Sequence, residues 1–387
     1  MIRYVLIILL IASGISCSDN STVYRYDSQM IKIGFEDILS INDANLIDSI
    51  QIIDLECNIV IGGINRVIQF DKYIYIMDSQ KTQTVLIFDN SGKFINSISD
   101  IGNGPNEYAQ LTDILINPLD SSLNLISRMD RKILKYGLDG RQVLSVENLP
   151  KSFKQFFKTK NGYVGYMGNF GDGQDKSKNI SILSDHLEIE NSYFDIDPTW
   201  ESLSFGTGYA FSSYNEITHY IEPMDFNIYT IDEEKISVPY YFDLGKLAWP
   251  QDVKEYEPVK ELLDKDRNRY IQRIYDFQET ENYLIIHILY QGQKLLGIYN
   301  KQTKESFASH MDAYIGDYFI PFGDMIGFGN NTIYTLVDAD AMQRIAIGKD
   351  DYNDFEAEYP EQIKKLRSKF PNIKDDGNPF LIIYYIK

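Results

Sequence analysis

The sequence predicts an all-β fold, a six-bladed β-propeller with N-/C-terminal strand closure and short helical insertions. Three observations predict it. A strand–turn–strand unit recurs through the 387 residues at a nearly fixed interval. The composition, with 29 Tyr and 21 Phe against 2 Trp, suits strands that pack on neighbouring sheets. The two chain ends also carry strand segments able to complete one sheet between them.

The repeat is clearest at Tyr73–Asp78 followed by Val85–Ile95, where Asn90, Ser91 and Gly92 supply hairpin chemistry. It returns at Leu123–Ile126 with Ile133–Arg141, at Tyr163–Tyr166 with Ile180–Glu188, at Ile217–Ile221 with Asn227–Lys235, and at Tyr283–Ile288 with Leu296–Lys304. The residues before each outer turn, Phe88, Tyr136, Leu183, Tyr229 and Tyr299, are spaced 48, 47, 46 and 70 apart. An interval near 47 is one four-stranded blade. The long interval holds an insertion around 245–268, in which Pro258 opens a short helix. A sixth unit begins at Met325 and Thr332 and is interrupted by a polar, partly helical segment. There Pro360 starts and Pro371 stops a helix with Ile363, Leu366 and Phe370 on one face. The terminal strand 379–387 leaves that blade one strand short, and residues 49–55 can supply it.

The N-terminus is organised differently. Arg3, an apolar run from Val5 to Ala12, and the small residues Ser13, Gly14 and Ser16 precede Cys17. The run is too short to span a bilayer as a helix and reads as a signal peptide. It resembles a bacterial lipoprotein leader, with Gly14 where Leu is usual, and the resemblance implies lipidation at Cys17. The expected organisation is therefore a signal peptide over 1–16, a lipid-anchored Cys17 and tether over 17–45, and a propeller over 46–387. Cys57 is then left alone, so no internal disulfide is expected.

Charge excludes one class of partner. With 56 acidic against 37 basic residues and a net charge of −19, the chain has no basic run to displace counterions from phosphates. No nucleic acid is expected. The same acidity leaves the lipid anchor as the route to a membrane.

Three segments resemble one family. Phe88-Asp-Asn-Ser-Gly-Lys-Phe94, Gly102-Asn-Gly-Pro-Asn-Glu-Tyr108 and Asn378-Pro-Phe-Leu381 are similar to the six-bladed β-propeller lipoproteins of Bacteroidota, which are related in shape to NHL-repeat propellers. The likeness spans residues 46–387. It implies an exported, envelope-anchored propeller at the outer membrane, on its periplasmic or surface face, and implies no reaction.

Candidate sites follow from local chemistry. Gly102, Gly104 and Pro105 form a tight, stiff crossover between blades one and two. Glu107 and Tyr108 then lie near the channel mouth, as ligand contacts or as ties between blades. The loop from Gly165 to Gln174 is glycine-rich, and Tyr166 and Phe170 are candidates for stacking on a sugar or peptide. The four histidines, His186, His219, His287 and His310, stand far apart in the sequence. Asp113, Asp276 and Asp324 occupy inner-strand or crossover places, and carboxylates there would suit Ca²⁺. No catalytic residue, metal site or cofactor is expected. The function expected is a binding or scaffold module for a glycan, peptide or protein. The alternative is a channel-metal hydrolase or lyase, which rests on fold analogy alone.

Overall fold

The computed structural model describes residues 23–24, 28–41, 45–56, 58–59, 61–171, 177–196, 208–222, 225–232, 235–248, 269–271, 273–311, 314–315, 320–323, 325–347, 357 and 359–387. Cys17, Cys57, Asp324 and the helix expected at Pro258 lie outside them. Six antiparallel sheets form a ring. Their innermost strands are Ile64–Phe70, Leu111–Asn117, Gln155–Lys158, Phe211–Tyr214, Arg273–Glu279 and Met325–Gly329, one for each of blades one to six.

The packing explains the repeat. Among the described residues the core divides into six clusters, one between each pair of adjacent blades. Successive side chains of a strand point to opposite faces, so each blade feeds two clusters. In blade one, Tyr75 and Met77 face blade two, whereas Ile74 and Ile76 face blade six. This is why the strands read as unbroken apolar runs rather than as alternation. The periodic residues Phe88, Tyr136, Leu183, Tyr229 and Tyr299 all lie on the third strand of their blades. Each is buried in the cluster shared with the preceding blade. The interval near 47 therefore counts one side chain doing the same job at successive interfaces.

The ring closes as the chain ends indicate. Phe380–Ile386 pairs with Thr332–Val337 on one side and with Ile47–Asp54 on the other, antiparallel to both. The closure is clamped at each end. Lys387 donates its backbone N–H to the Leu46 carbonyl at 3.1 Å. The Asn378 side chain donates to the Leu55 carbonyl and accepts from the Ile61 N–H, both at 3.3 Å. The outer hairpin of blade one reaches the same seam. Gly92 there has φ +91°, and a Cβ would fall 2.1 Å from the Asp54 carbonyl oxygen, so only glycine fits. Asp89 holds that turn by accepting from the N–H groups of Ser91 and Lys93 at 2.8 and 3.1 Å.

Among the described residues, two helices of nine or ten residues interrupt blade six. The first, α1 (Ala339–Ile347), buries Ala339, Met342, Ile345 and Ala346. The second, α2 (Pro360–Lys369), starts at the expected proline and buries Ile363 and Leu366. Both cover the outside of the cluster between blades five and six.

One stretch departs from expectation. Residues 28–41, which the sequence places in the tether over 17–45, pack on the propeller rim. Gln29–Lys32 adds a parallel strand to Ile236–Asp243 of blade four, beside a shorter parallel pairing at Val23–Tyr24. Leu39 then exchanges backbone hydrogen bonds with blade five, its N–H donating to Ala308 and its carbonyl accepting from His310. Ile31, Ile33 and Ile41 are buried. Their apolar period within a polar-looking leader is the signal that a tether reading passes over. Among the described residues no helix is long and apolar enough to cross a membrane.

Candidate functional site: the axial cavity and its floor

Four of the six inner strands carry a register shift, at Ile64/Arg66, Leu111/Asp113, Tyr275/Gln278 and Met325/Gly327. Such bulges re-aim side chains at a barrel or propeller axis. Arg66, Asp113 and Asp276 stand at three of them, and Asp276 is held at φ 52°. For a residue other than glycine this conformation is uncommon and is kept only by its surroundings.

These residues converge on one network. Asp113 is 1% exposed and accepts from Arg66 Nη1 at 2.8 Å. It also accepts from the Tyr209 hydroxyl, 2.5 and 2.6 Å from its two oxygens, and from the N–H groups of Ile114 and Phe156, each at 2.8 Å. The Arg66 guanidinium stacks 3.6 Å from the centre of the Tyr209 ring. Tyr209 gives its backbone N–H to Asp276 at 2.5 Å, and Asp276 meets His287 Nδ1 at 2.9 Å. Gln155 brackets Tyr209, donating to Gly208 and accepting from Ala210. Gln278 donates to the Gly329 carbonyl at 3.1 Å, which extends the connections to blade six.

Burial pushes the Asp113 carboxyl up to about 6, against the lowering by Arg66 and by the Phe156 and Ile114 N–H groups. Burial also brings Arg66 down to about 10, so the pair is charged at neutral pH. A second, half-buried carboxyl behaves similarly. Glu222 accepts from the Tyr220 hydroxyl and from Asn179 Nδ2, and burial drives it up to about 7. A carboxyl whose folded pKa exceeds its unfolded value opposes folding when ionised, and that cost is relieved as pH falls through the folded pKa. The urea midpoint is therefore expected to rise between about pH 8 and pH 6, and Glu222→Gln to flatten that rise. A parent midpoint that falls over this interval would contradict the assignment.

The network floors a cavity of about 790 Å³. Residues from all six inner strands line it, and it opens on the side where those strands end in their first hairpins. Its wall combines Phe70, Phe157, Phe211 and Phe328 with polar groups including Lys160 and Glu216. Lys160 and Glu216 pair at 2.9 Å. Leu119 stands at the lip, 74% exposed.

The crossover residues take other places. Glu107 turns back on its own loop and accepts from the Gly104 N–H at 2.7 Å, and a Cβ on Gly102 would strike its carboxylate. Tyr108 is buried between blades one and two and donates its hydroxyl to the Gln83 carbonyl at 2.6 Å. Gly102, Gly104, Pro105, Glu107 and Tyr108 are all absent from the cavity wall. Tyr166 is 7% exposed and packs against Phe211 and Tyr220 in the core. Phe170 lies under the Arg128 guanidinium at 4.8 Å, outside the axial cavity.

His287 pairs with Asp276, and His219 Nε2 lies 3.1 Å from Glu279. Among the described residues no three His, Cys, Asp or Glu side chains converge as metal ligands. Arg66 and Tyr209 escape a motif search, although a charged residue near the start of an apolar inner strand in three blades is a legible signal.

With this geometry in view, relatives can be placed. The family model described as a domain of unknown function, DUF4934, matches residues 19–385. The chain belongs to the DUF4934 family. No curated protein matches it. Among solved structures, a putative exported protein from Bacteroides fragilis is similar at a TM-score of 0.71 and 16% identity, covering 92% of this chain and 99% of the other. A member of the duf4221 family from Bacteroides vulgatus is similar at 0.52 and 12%, covering 88% and 97%. At these identities the likeness concerns the fold. This DUF4934 chain thus shares a six-bladed architecture with proteins of Bacteroides.

Proposed function

We propose that this DUF4934 protein is an exported, lipid-anchored binding propeller that holds part of a glycan or peptide in its axial cavity. The carrying observation is the cavity itself, open at one end and built by all six inner strands over a hydrogen-bonded floor. Pockets of several hundred Å³ with aromatic walls and a few placed polar groups are the usual form of a ligand site. Four phenylalanines beside a Lys–Glu pair suit a ligand with flat apolar faces and a hydrogen-bonding edge.

The name of the Bacteroides fragilis relative, an exported protein, supports export, as does the leader before Cys17. Five residues separate Cys17 from the pairing at Val23, a span of at most about 20 Å. A lipid on Cys17 would hold the rim of blade four close to the bilayer, leaving both faces of the ring accessible from the side. Cys17→Ala is expected to move the protein from the membrane to the soluble fraction of the envelope. Retention in the membrane would refute the anchor and leave the cavity reading intact.

The cavity reading is tested by glycan and peptide arrays with the parent and with Ser213→Trp. Ser213 lines the cavity at an exposed position, so an indole there obstructs it with little burden on the core. Binding by the parent that drops at least tenfold in the variant, about 1.4 kcal/mol, is expected. Binding that Ser213→Trp leaves unchanged would move the site elsewhere.

A further inference from the structure

A second cavity, about 710 Å³, lies in the cleft between blades two and three, on the side where the inner strands begin. Among its described lining residues three are cations, Arg128, Arg131 and Lys151, and none is acidic. In a chain with 56 acidic and 37 basic residues this is a local reversal of charge. Gln110 and Ser152 add neutral hydrogen-bonding groups, and Met129, 72% exposed, adds an apolar lip.

The cations are held in place. Arg128 is seated over the Phe170 ring at 4.8 Å. Lys154, just beyond the lining residues, lies across Gly168, where a Cβ would fall 2.3 Å from its side chain. That glycine has φ +74°, and the Asn179 side chain secures the next residue by accepting the Asn169 N–H at 2.9 Å. The nearest carboxylate in sequence, Asp130, sits 3.2 Å from Lys132 and is not among the lining residues.

Like charges gathered in this way repel. Burial lowers the Lys154 ammonium, with Arg128 and Arg273 lowering it further, and burial also lowers both arginines. Arg273 is partly offset by Asp276 and nearby tyrosines, but among the described residues no ion pair joins a carboxylate to Arg128 or Lys154. Half-buried guanidinium groups with open donors are well suited to bidentate recognition of oxyanions.

We propose that the cleft between blades two and three is a binding site for an oxyanionic group, a phosphate, sulfate or carboxylate, recognised by Arg128 and Arg131 with Lys154 behind them. It is separate from the axial cavity, and either site can fail in experiment without the other. The rule that the chain is too acidic for polyanions holds for its surface as a whole but not for this cleft.

Isothermal titration of the purified protein with inorganic phosphate, inorganic sulfate and malonate at low ionic strength tests it. Saturable binding of at least one anion is expected, weakened about tenfold by Arg128→Gln and by Lys154→Gln and reduced by added salt. Arg131→Gln, at an exposed position, should weaken it without disturbing the core and serves if the other variants fold poorly. Lys72→Gln, in the first hairpin of blade one, should leave it unchanged. No saturable binding of any of the three anions would overturn the proposal. So would binding that survives Arg128→Gln and Arg131→Gln undiminished.

Discussion

Replacing Arg66 by alanine is expected to lower the unfolding free energy by about 3–5 kcal/mol, read from urea denaturation. The loss comes less from the salt bridge than from what remains without it. Asp113 is 1% exposed and, with Arg66 gone, would be a buried carboxylate facing Tyr209 and two backbone N–H groups but no cation. The stacking of the guanidinium on Tyr209 at 3.6 Å would go as well. Two comparisons separate these contributions. Asp113→Asn should cost less, because it removes the charge while keeping an acceptor. The double variant Arg66→Met with Asp113→Leu should recover much of the loss, since a buried ion pair replaced by apolar residues of similar volume is often neutral. A loss below about 1 kcal/mol for Arg66→Ala would mean that water reaches the floor and that the network does not close the cavity.

Deleting residues 380–387 is expected to abolish cooperative folding. The segment Phe380–Ile386 buries six of its seven side chains and is the third strand of blade six. At about 1.5–3 kcal/mol for each large apolar side chain, the loss is on the order of 10 kcal/mol. That is comparable with the whole stability of an ordinary domain, about 5–15 kcal/mol. Ile47–Asp54 would lose its one sheet partner among the described residues, and the ring would open between blades six and one. Circular dichroism and a thermal scan check it: the truncated chain should lack the sharp transition expected of the parent. A circular permutant cut in the exposed turn near residue 303, with Lys387 linked to Leu46 and residues 1–45 omitted, keeps every pairing among the four strands of each blade and should still fold. If the truncated protein melted at the parent temperature, strand closure would not hold the ring.

Different parts of this molecule were legible to different degrees. The blade period could be read because one side chain per repeat fills the interface with the preceding blade, so packing imposes its spacing directly on the chain. The closure could be read because a blade that is one strand short leaves unpaired backbone groups, and the two ends were the segments able to supply them. Helix α2 carried its proline and its apolar face openly. Helix α1 did not, because Ala339, Met342, Ile345 and Ala346 make a weak stripe within a polar segment.

The functional surface was far less legible. Glu107 drew attention through its glycines, yet its carboxylate is spent on its own loop. Arg66, Asp113, Tyr209 and Asp276 come from positions up to 210 residues apart and carry no common motif. Their meeting depends on bulges that turn side chains toward the axis and on the order of blades around the ring.

Periodicity, turn residues and end segments are local or nearest-neighbour properties, so architecture was already written in the order of residues. Blade count, closure and the stop of α2 belong to that class. The floor of the axial cavity and the cationic cleft arise where residues far apart in the chain come to share a few cubic nanometres. There the pKa of Asp113, the charge at Arg128 and Lys154 and the shape of the opening are set by neighbours from other blades, and only the folded ring brings those neighbours together.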